Sequence, residues 1–260
     1  MRASTSVMKN ELTQTICGRA FKYLTNQENV LEVKDYTGLV AYNLTANTAA
    51  NRLGTPKKLN QYLSKPIESN SDLKNKALAC IIAIETGDEL AANYAVSINQ
   101  VFDALNQRCE KTSDEDWALS NVHGFYLAHL LDRSEELGSA AKNIEKTLIN
   151  QSYEGFKGKN AKQVYLYYVT VLISNFPILS FQWKKQLCLA IDGLNEDGST
   201  ISVSSHKLCR ELLDLETKNI DEELLGRQDR NGCFSSSKKN PAGAEEILAT
   251  AFAYSASTGI

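Results

Sequence analysis

The run Asp114-Glu115-Asp116-Trp117 sets two aspartates two residues apart, with a glutamate between them and an indole ring after them. A carboxyl group in such a cluster works as a general acid when burial and a neighbouring carboxylate keep it protonated. The ring of Trp117 would then offer its π-face to a developing cation. The same residues also have a structural reading. Ser113 and Asp114 are good N-caps, and acids in the first turn of a helix are favoured by its dipole. That field stabilises the ionised form and opposes a general acid, so both readings stay open.

Histidine is scarce. His123 and His129 are six apart, which places them on different faces of a helix and makes them poor joint metal ligands. His206 and Cys209 share a face at three-residue spacing, and Cys233 lies in a following turn. The six cysteines, Cys17, Cys80, Cys109, Cys188, Cys209 and Cys233, contain no C-x-x-C pair. Most fall in apolar helical stretches and read as reduced thiols that pack as small hydrophobes. Tyr165, Tyr167 and Tyr168 form an aromatic run that suits either the lining of an apolar pocket or filler between helix layers. No P-loop, Gly-x-Gly-x-x-Gly, Gly-x-Ser-x-Gly or Asp-Asp-x-x-Asp pattern occurs. No metal and no cofactor is therefore expected.

Helices must position these groups. Apolar residues recur at three- and four-residue steps almost throughout, and no segment alternates as a strand does. The periodicity predicts helices over 11–26, 36–53, a short one with Pro56 in its first turn, 72–85, one starting at Asp88, 117–131, 140–149, 161–173, 181–194, 203–215, 221–225 and 244–255. Four prolines in 260 residues fit that reading. The expected class is all-α, in a single helical domain over 1–260.

Composition sets the outer bounds. A chain of 260 residues with 43% apolar side chains fills a core and is not dominated by disorder. A formal charge of −3 gives no general attraction to nucleic acid or to anionic lipid, so neither is an expected partner. No apolar run is long enough to span a membrane. The start, MRASTSVMKNELTQ, lacks the apolar core of a secretory signal, and the expected location is the cytoplasm.

The turns between helices repeat. Gln228-Asp-Arg-Asn-Gly232-Cys-Phe234 follows one apolar helix and precedes the helix from Ala244. Gln151, Gly155 and Phe156 form a copy one residue shorter, and Ile191 to Gly198 a degenerate one. Copies lie roughly 35 to 45 residues apart, as in helical-hairpin repeats. The Gln-x-x-x-Gly-x-Phe pattern resembles the QW motif of squalene and terpene cyclases, with Phe in place of Trp, and protein prenyltransferase β-subunits share that repeat. The resemblance implies an (α/α)6 toroid, with outer and inner helices alternating around a central cavity; an open α-solenoid is the alternative. It also implies that Gln228, Gly232, Phe234, Gln151 and Phe156 are structural.

Asp114-Glu-Asp116-Trp117 resembles the Asp-x-Asp-Asp motif of class II terpene cyclases, with Trp117 where the last Asp belongs. The acid of that family falls on Asp116. In the prenyltransferases an Asp, a Cys and a His hold zinc, and Cys233 lies near the Asp-x-Cys pattern, but Asn231 replaces the Asp. The starts of the inner helices would line the cavity. They nominate Asp116, Asp114 and His206 as catalytic, and Trp117, Tyr36, Tyr165, Gln163 and Glu245 as substrate-binding. The implied activity is acid-initiated cyclisation of a small apolar polyene or isoprenoid. A non-catalytic helical-repeat binding or scaffold protein is the alternative.

Overall fold

The computed structural model describes residues 2–26, 31–48, 53, 56, 58–87, 91–108, 114–137, 156, 158, 160–175, 181–194, 198–217, 220–235 and 243–258; for 2–10, 91–93, 181–184 and 243–244 it describes the backbone alone. The class is all-α: the described residues form eleven α-helices and one 3₁₀ turn, with no strand. In chain order the α-helices are α1 (Arg2–Thr25), α2 (Tyr36–Thr48), α3 (Leu59–Ser64), α4 (Asn70–Thr86), α5 (Ala91–Arg108), α6 (Glu115–Leu130), α7 (Ala161–Asn175), α8 (Phe181–Asp192), α9 (Thr200–Leu212), α10 (Asp221–Leu225) and α11 (Gly243–Thr258). The 3₁₀ turn, Ser134–Leu137, follows α6.

Local chemistry accounts for the ends. Ser69 and Asp72 form a reciprocal capping box at the start of α4, and Gly87 closes that helix at φ 63°. Asp114 caps α6 and Ser199 caps α9, each accepting from the backbone N–H three residues on. Three expected boundaries shift markedly. The first helix begins at Arg2 rather than near Glu11, the second ends at Thr48 rather than near Gly54, and Pro56 lies outside the third helix, which begins at Leu59. The expected helix over 140–149 and the start at Asp88 lie outside the described residues.

Burial divides the helices into two kinds. In α2, residues 39–45 are all buried; the same holds for 76–83 in α4, 117–128 in α6, 164–170 in α7 and 248–257 in α11. Burial through every position of two or three turns means contact on all sides. By contrast, α1 buries Ile16, Ala20 and Leu24, and α5 buries Ile98, Val101, Phe102 and Leu105, the three- and four-residue stripe of a one-sided helix.

The chain forms two compact units. Unit 1 comprises 1–56 with 190–260, and unit 2 comprises 57–189. In unit 2, α6 packs on α4 and α7, while α5 packs on α3, α4, α6 and the 3₁₀ turn. Asn70 reaches Asp114 at the starts of α4 and α6, and Tyr126 donates to Glu85 near their ends, so these two helices run parallel. A side chain at Gly124 would collide with Leu105, which records how closely α5 approaches α6. In unit 1, α11 packs on α2, α9 and α1, so the last helix meets the first two. Phe234 donates to Thr250 in the middle of α11 and Thr200 at the start of α9 donates to the carbonyl of the adjoining Ser235, while Lys207 donates to that of Ala256 further along α11, so α9 and α11 run in the same direction.

The turn before α11 holds this joint together. The Gln228 side-chain amide donates to the carbonyls of Ile16 in α1 and Gly232 in its own turn, both at 3.1 Å. Gly232 sits at φ 92° with its Cα facing the carbonyl of Arg19, and an added methyl would collide with that carbonyl. Phe234 is fully buried; its N–H donates to Thr250 Oγ1, which donates in turn to the carbonyl of Glu246. Gln228 and Phe234 are therefore structural. We expect Phe234→Ala to cost roughly 3 kcal/mol in urea unfolding. Gly232→Ala should also destabilise, by more than the ~1 kcal/mol that a compatible glycine site would gain from alanine.

Candidate functional site

The acids that start α6 each have a partner. The side chain of Asp114 accepts from the N–H of Trp117 at 2.6 Å and from Asn70 Nδ2 at 3.1 Å. Glu115 Oε2 accepts from the N–H of Gly158 at 2.7 Å, just ahead of α7. Asp116 forms an ion pair with Lys74 of α4, whose side chain is 10% exposed against 31% for the aspartate. Ser120 donates to the carbonyls of Asp116 and Asn70 at 2.6 and 3.1 Å. The starts of α4, α6 and α7 are thereby joined by polar contacts in one unit. Trp117, 5% exposed, belongs to the core beneath them.

Lys74 matters chemically. An ammonium hydrogen-bonded to a carboxylate holds it as an acceptor, whereas a general acid must donate. Deeper in α6, His123 is fully buried and meets the ring of Tyr168 edge-on, with centroids 4.4 Å apart. Burial, reinforced by the nearby charge of Lys74, pushes the His123 imidazole down to about 3. It is a neutral core residue at any physiological pH.

The tyrosine run packs inward. Tyr165 is fully buried with its ring edge-on to Phe156 at 5.3 Å, and Tyr167 meets Tyr168 at 5.1 Å. Gln163 lies in the first turn of α7, half-buried. Asp114, Asp116, Trp117, Gln163 and Tyr165 all belong to unit 2, whereas Tyr36, His206 and Glu245 belong to unit 1. Tyr36 opens α2, Glu245 lies in the first turn of α11, and both are half-buried. His206 Nε2 stands 3.6 Å from Asp192 Oδ1, an oxygen that Arg210 also contacts at 2.7 Å. Cys209 and Cys233 are buried, and the Cys233 thiol is hydrogen-bonded with Tyr23. Among the described residues no group of three His, Cys, Asp or Glu side chains is placed to hold a metal ion. Gln151 and Gly155, the second repeat copy, lie outside the described residues, as does Ser113.

Lys74, Asn70 and Gly158 are the partners that the sequence did not nominate. The available signal was Lys74 and Lys76, flanking Asn75 at the head of the apolar run Ala77 to Ile84, because a buried lysine demands a partner. Comparison with protein-family models, curated proteins and solved structures returns no match. No helix among the described residues is long and apolar enough to cross a membrane.

Two outcomes follow from this geometry. Asp116→Asn leaves the ammonium of Lys74 without its counter-charge and should lower stability by roughly 1–3 kcal/mol; equilibrium unfolding of that variant, of Lys74→Met and of the double variant measures the coupling. The lowered pKa of His123 is the depressed case for a base. Between about 6.5 and about 3 the unfolded chain binds a proton that the folded chain refuses, so this group's contribution is complete above 6.5 and is lost as pH falls. The His123 ring resonances should not move between about pH 5 and 8 in an NMR titration.

Proposed function

We propose that this chain is a non-catalytic helical-hairpin protein, a binding or scaffold module built on the (α/α)6 plan that its QW-like repeat resembles. The observation that carries this reading is the state of the acids at the start of α6. Asp114 caps the helix, Glu115 holds the backbone of Gly158, and Asp116 is paired with Lys74. All three serve the junction of α4, α6 and α7.

Acid-initiated cyclisation asks something else of Asp116. It needs a protonated carboxyl aimed at an alkene or epoxide, in surroundings that are apolar apart from a neighbouring acid. The Lys74 ammonium supports the structural role instead. The toroid plan, rather than an open solenoid, is supported by the meeting of α11 with α1 and α2 inside unit 1, since an open array would leave its first and last hairpins apart. It is supported too by the contrast between helices buried on all sides and helices buried along one stripe. The resemblance makes a small apolar molecule the ligand class to test first.

The experiment is to incubate the purified chain with squalene, its epoxide and a C20 prenyl diphosphate, and to analyse the extracts by mass spectrometry. The expected result is unchanged substrate, with Asp116→Asn altering only stability. A cyclised product that the wild type makes and that Asp116→Asn fails to make at an unchanged melting temperature would overturn the scaffold reading and restore Asp116 as an acid.

A further inference from the structure

We propose that Asn231 is a deamidation site gated by the joint between α1 and α11: the folded turn withholds it, and opening of the joint converts it to an isoaspartate that cannot re-form the turn. Asn231-Gly232 is the one Asn-Gly pair in the chain, and Asn231 is exposed while residues 232–234 are buried. The reaction needs no reagent but water. The backbone nitrogen of Gly232 attacks the side-chain carbonyl carbon of Asn231 and gives up its proton, ammonia leaves, and a five-membered imide closes. Water then breaks one of the two ring C–N bonds. One cleavage gives aspartate; the other gives isoaspartate, in which the main chain runs through the former side chain. Glycine in the following position favours the attack, because no Cβ crowds the nitrogen or restrains its backbone.

The turn holds both reacting groups off that path. The Gly232 N–H donates to the carbonyl of Asp229 at 3.1 Å, which closes a β-turn over 229–232 with Asn231 in its third position. Neither Arg230 nor Asn231 has a positive φ, so the turn is type I, and its ψ of about 0° at Asn231 eclipses that residue's own nitrogen with the nitrogen of Gly232. Ring closure requires Cβ of Asn231 in that eclipsed place instead. The conformation is fixed from several sides. Asp229 Oδ1 accepts from the N–H of Asn231 at 2.8 Å and of Cys233 at 3.1 Å, and the Asp229 N–H donates to the carbonyl of Cys233 at 2.9 Å. Gln228 links the carbonyl of Gly232 to that of Ile16 in α1. Rotating Asn231 into the reactive geometry therefore releases the Gly232 N–H and lifts the turn from α1. Isoaspartate adds a methylene to the main chain just before Gly232, where the carbonyl of Arg19 leaves no room even for a methyl. The longer main chain cannot return Gly232 to that seat, so each conversion leaves the joint open at this turn.

The test incubates the full chain in mildly alkaline buffer across a urea series, from none to complete unfolding. Residue 231 is followed by peptide mapping with electron-transfer fragmentation, which separates isoaspartate from aspartate, and hydrogen exchange reads the Gly232 amide in the same samples. We expect ready conversion in the unfolded chain and conversion slower by about tenfold or more in the folded one, with deamidation and Gly232 exchange rising in parallel as urea increases. Gln228→Ala, which cuts the link to Ile16, should raise both rates while its helical circular dichroism is intact; the urea series on the wild type carries the same test should that variant fail to fold. The isoaspartyl chain, separated by ion exchange, should melt below the unconverted chain. An unfolded chain that leaves Asn231 intact would overturn the site. Equal rates in the folded and unfolded chains, or deamidation that does not follow Gly232 exchange, would overturn the gating, and an isoaspartyl chain that melts with the unconverted one would overturn the claim that the turn cannot re-form.

Discussion

Helices buried on every side impose the constraint on which the rest of the structure depends. Such a helix exposes no face where a polar side chain can meet water, and its first-turn N–H groups still need acceptors. In unit 2 the constraint is sharper because α4 and α6 run parallel and α7 joins them at the same end. Parallel neighbours bring like ends of their dipoles together, which concentrates positive potential where the three helices begin. Asp72, Asp114, Glu115 and Asp116 answer that field, and they do so across helices as well as within them. Glu115 serves the backbone ahead of α7, and the side chain of Asn70 at the start of α4 serves Asp114. Lys65 pairs with Asp72 at 2.5 Å, and Lys74, sunk into α4, pairs with Asp116.

Unit 1 meets the same requirement with a different device. There the turn from Gln228 to Phe234 supplies the side-chain amide, the left-handed glycine and the buried ring that fasten α11 to α1. Each part addresses a distinct cost. Gln228 satisfies a carbonyl of a neighbouring helix, Gly232 lets two backbones approach, and Phe234 fills the space beneath. The joint brings the two ends of the chain into one compact body, so the order of the helices in sequence is not the order of their contacts. At the other end of α11, Lys207 provides a cation for the last carbonyls, and Asp221 and Thr13 extend the same network to α1.

Much of this was legible in the sequence because it is local. Helical class follows from apolar spacing, and the structural role of Gln228 and Phe234 was implied by the resemblance of a seven-residue pattern to a known repeat. The caps at Asp114 and Gly87 read directly from residue type and position. The ends of α2 and α3 were less legible: apolar residues continue past Thr48, and periodicity does not register where tertiary contacts stop supporting a helix. The partners of the acids were hidden for another reason. Lys74 and Asp116 are 42 positions apart, and Thr13 and Asp221 are 208 apart. No local rule pairs residues across such separations. The grouping of His206 with Asp116 was proposed from a family plan rather than from spacing, and the two residues fall in different units.

The acidic start of α6 illustrates why an acid motif and a helix start are degenerate as sequence. Both require carboxylates two or three residues apart, both place them before an apolar run, and both tolerate an aromatic after them. What separates them is the sign of the environment. A general acid needs surroundings that penalise charge: apolar walls, a second carboxylate and no cation. A capping cluster needs surroundings that reward charge: free N–H groups and, where acids outnumber them, an ammonium. Asp114 meets the N–H of Trp117, Glu115 meets the N–H of Gly158, and Asp116 meets Lys74. Each carboxylate faces a donor, which is the arrangement of a helix start. The lysine that pairs with Asp116 is one turn into a different helix, where its own local sequence marks it only as a charge that burial must explain.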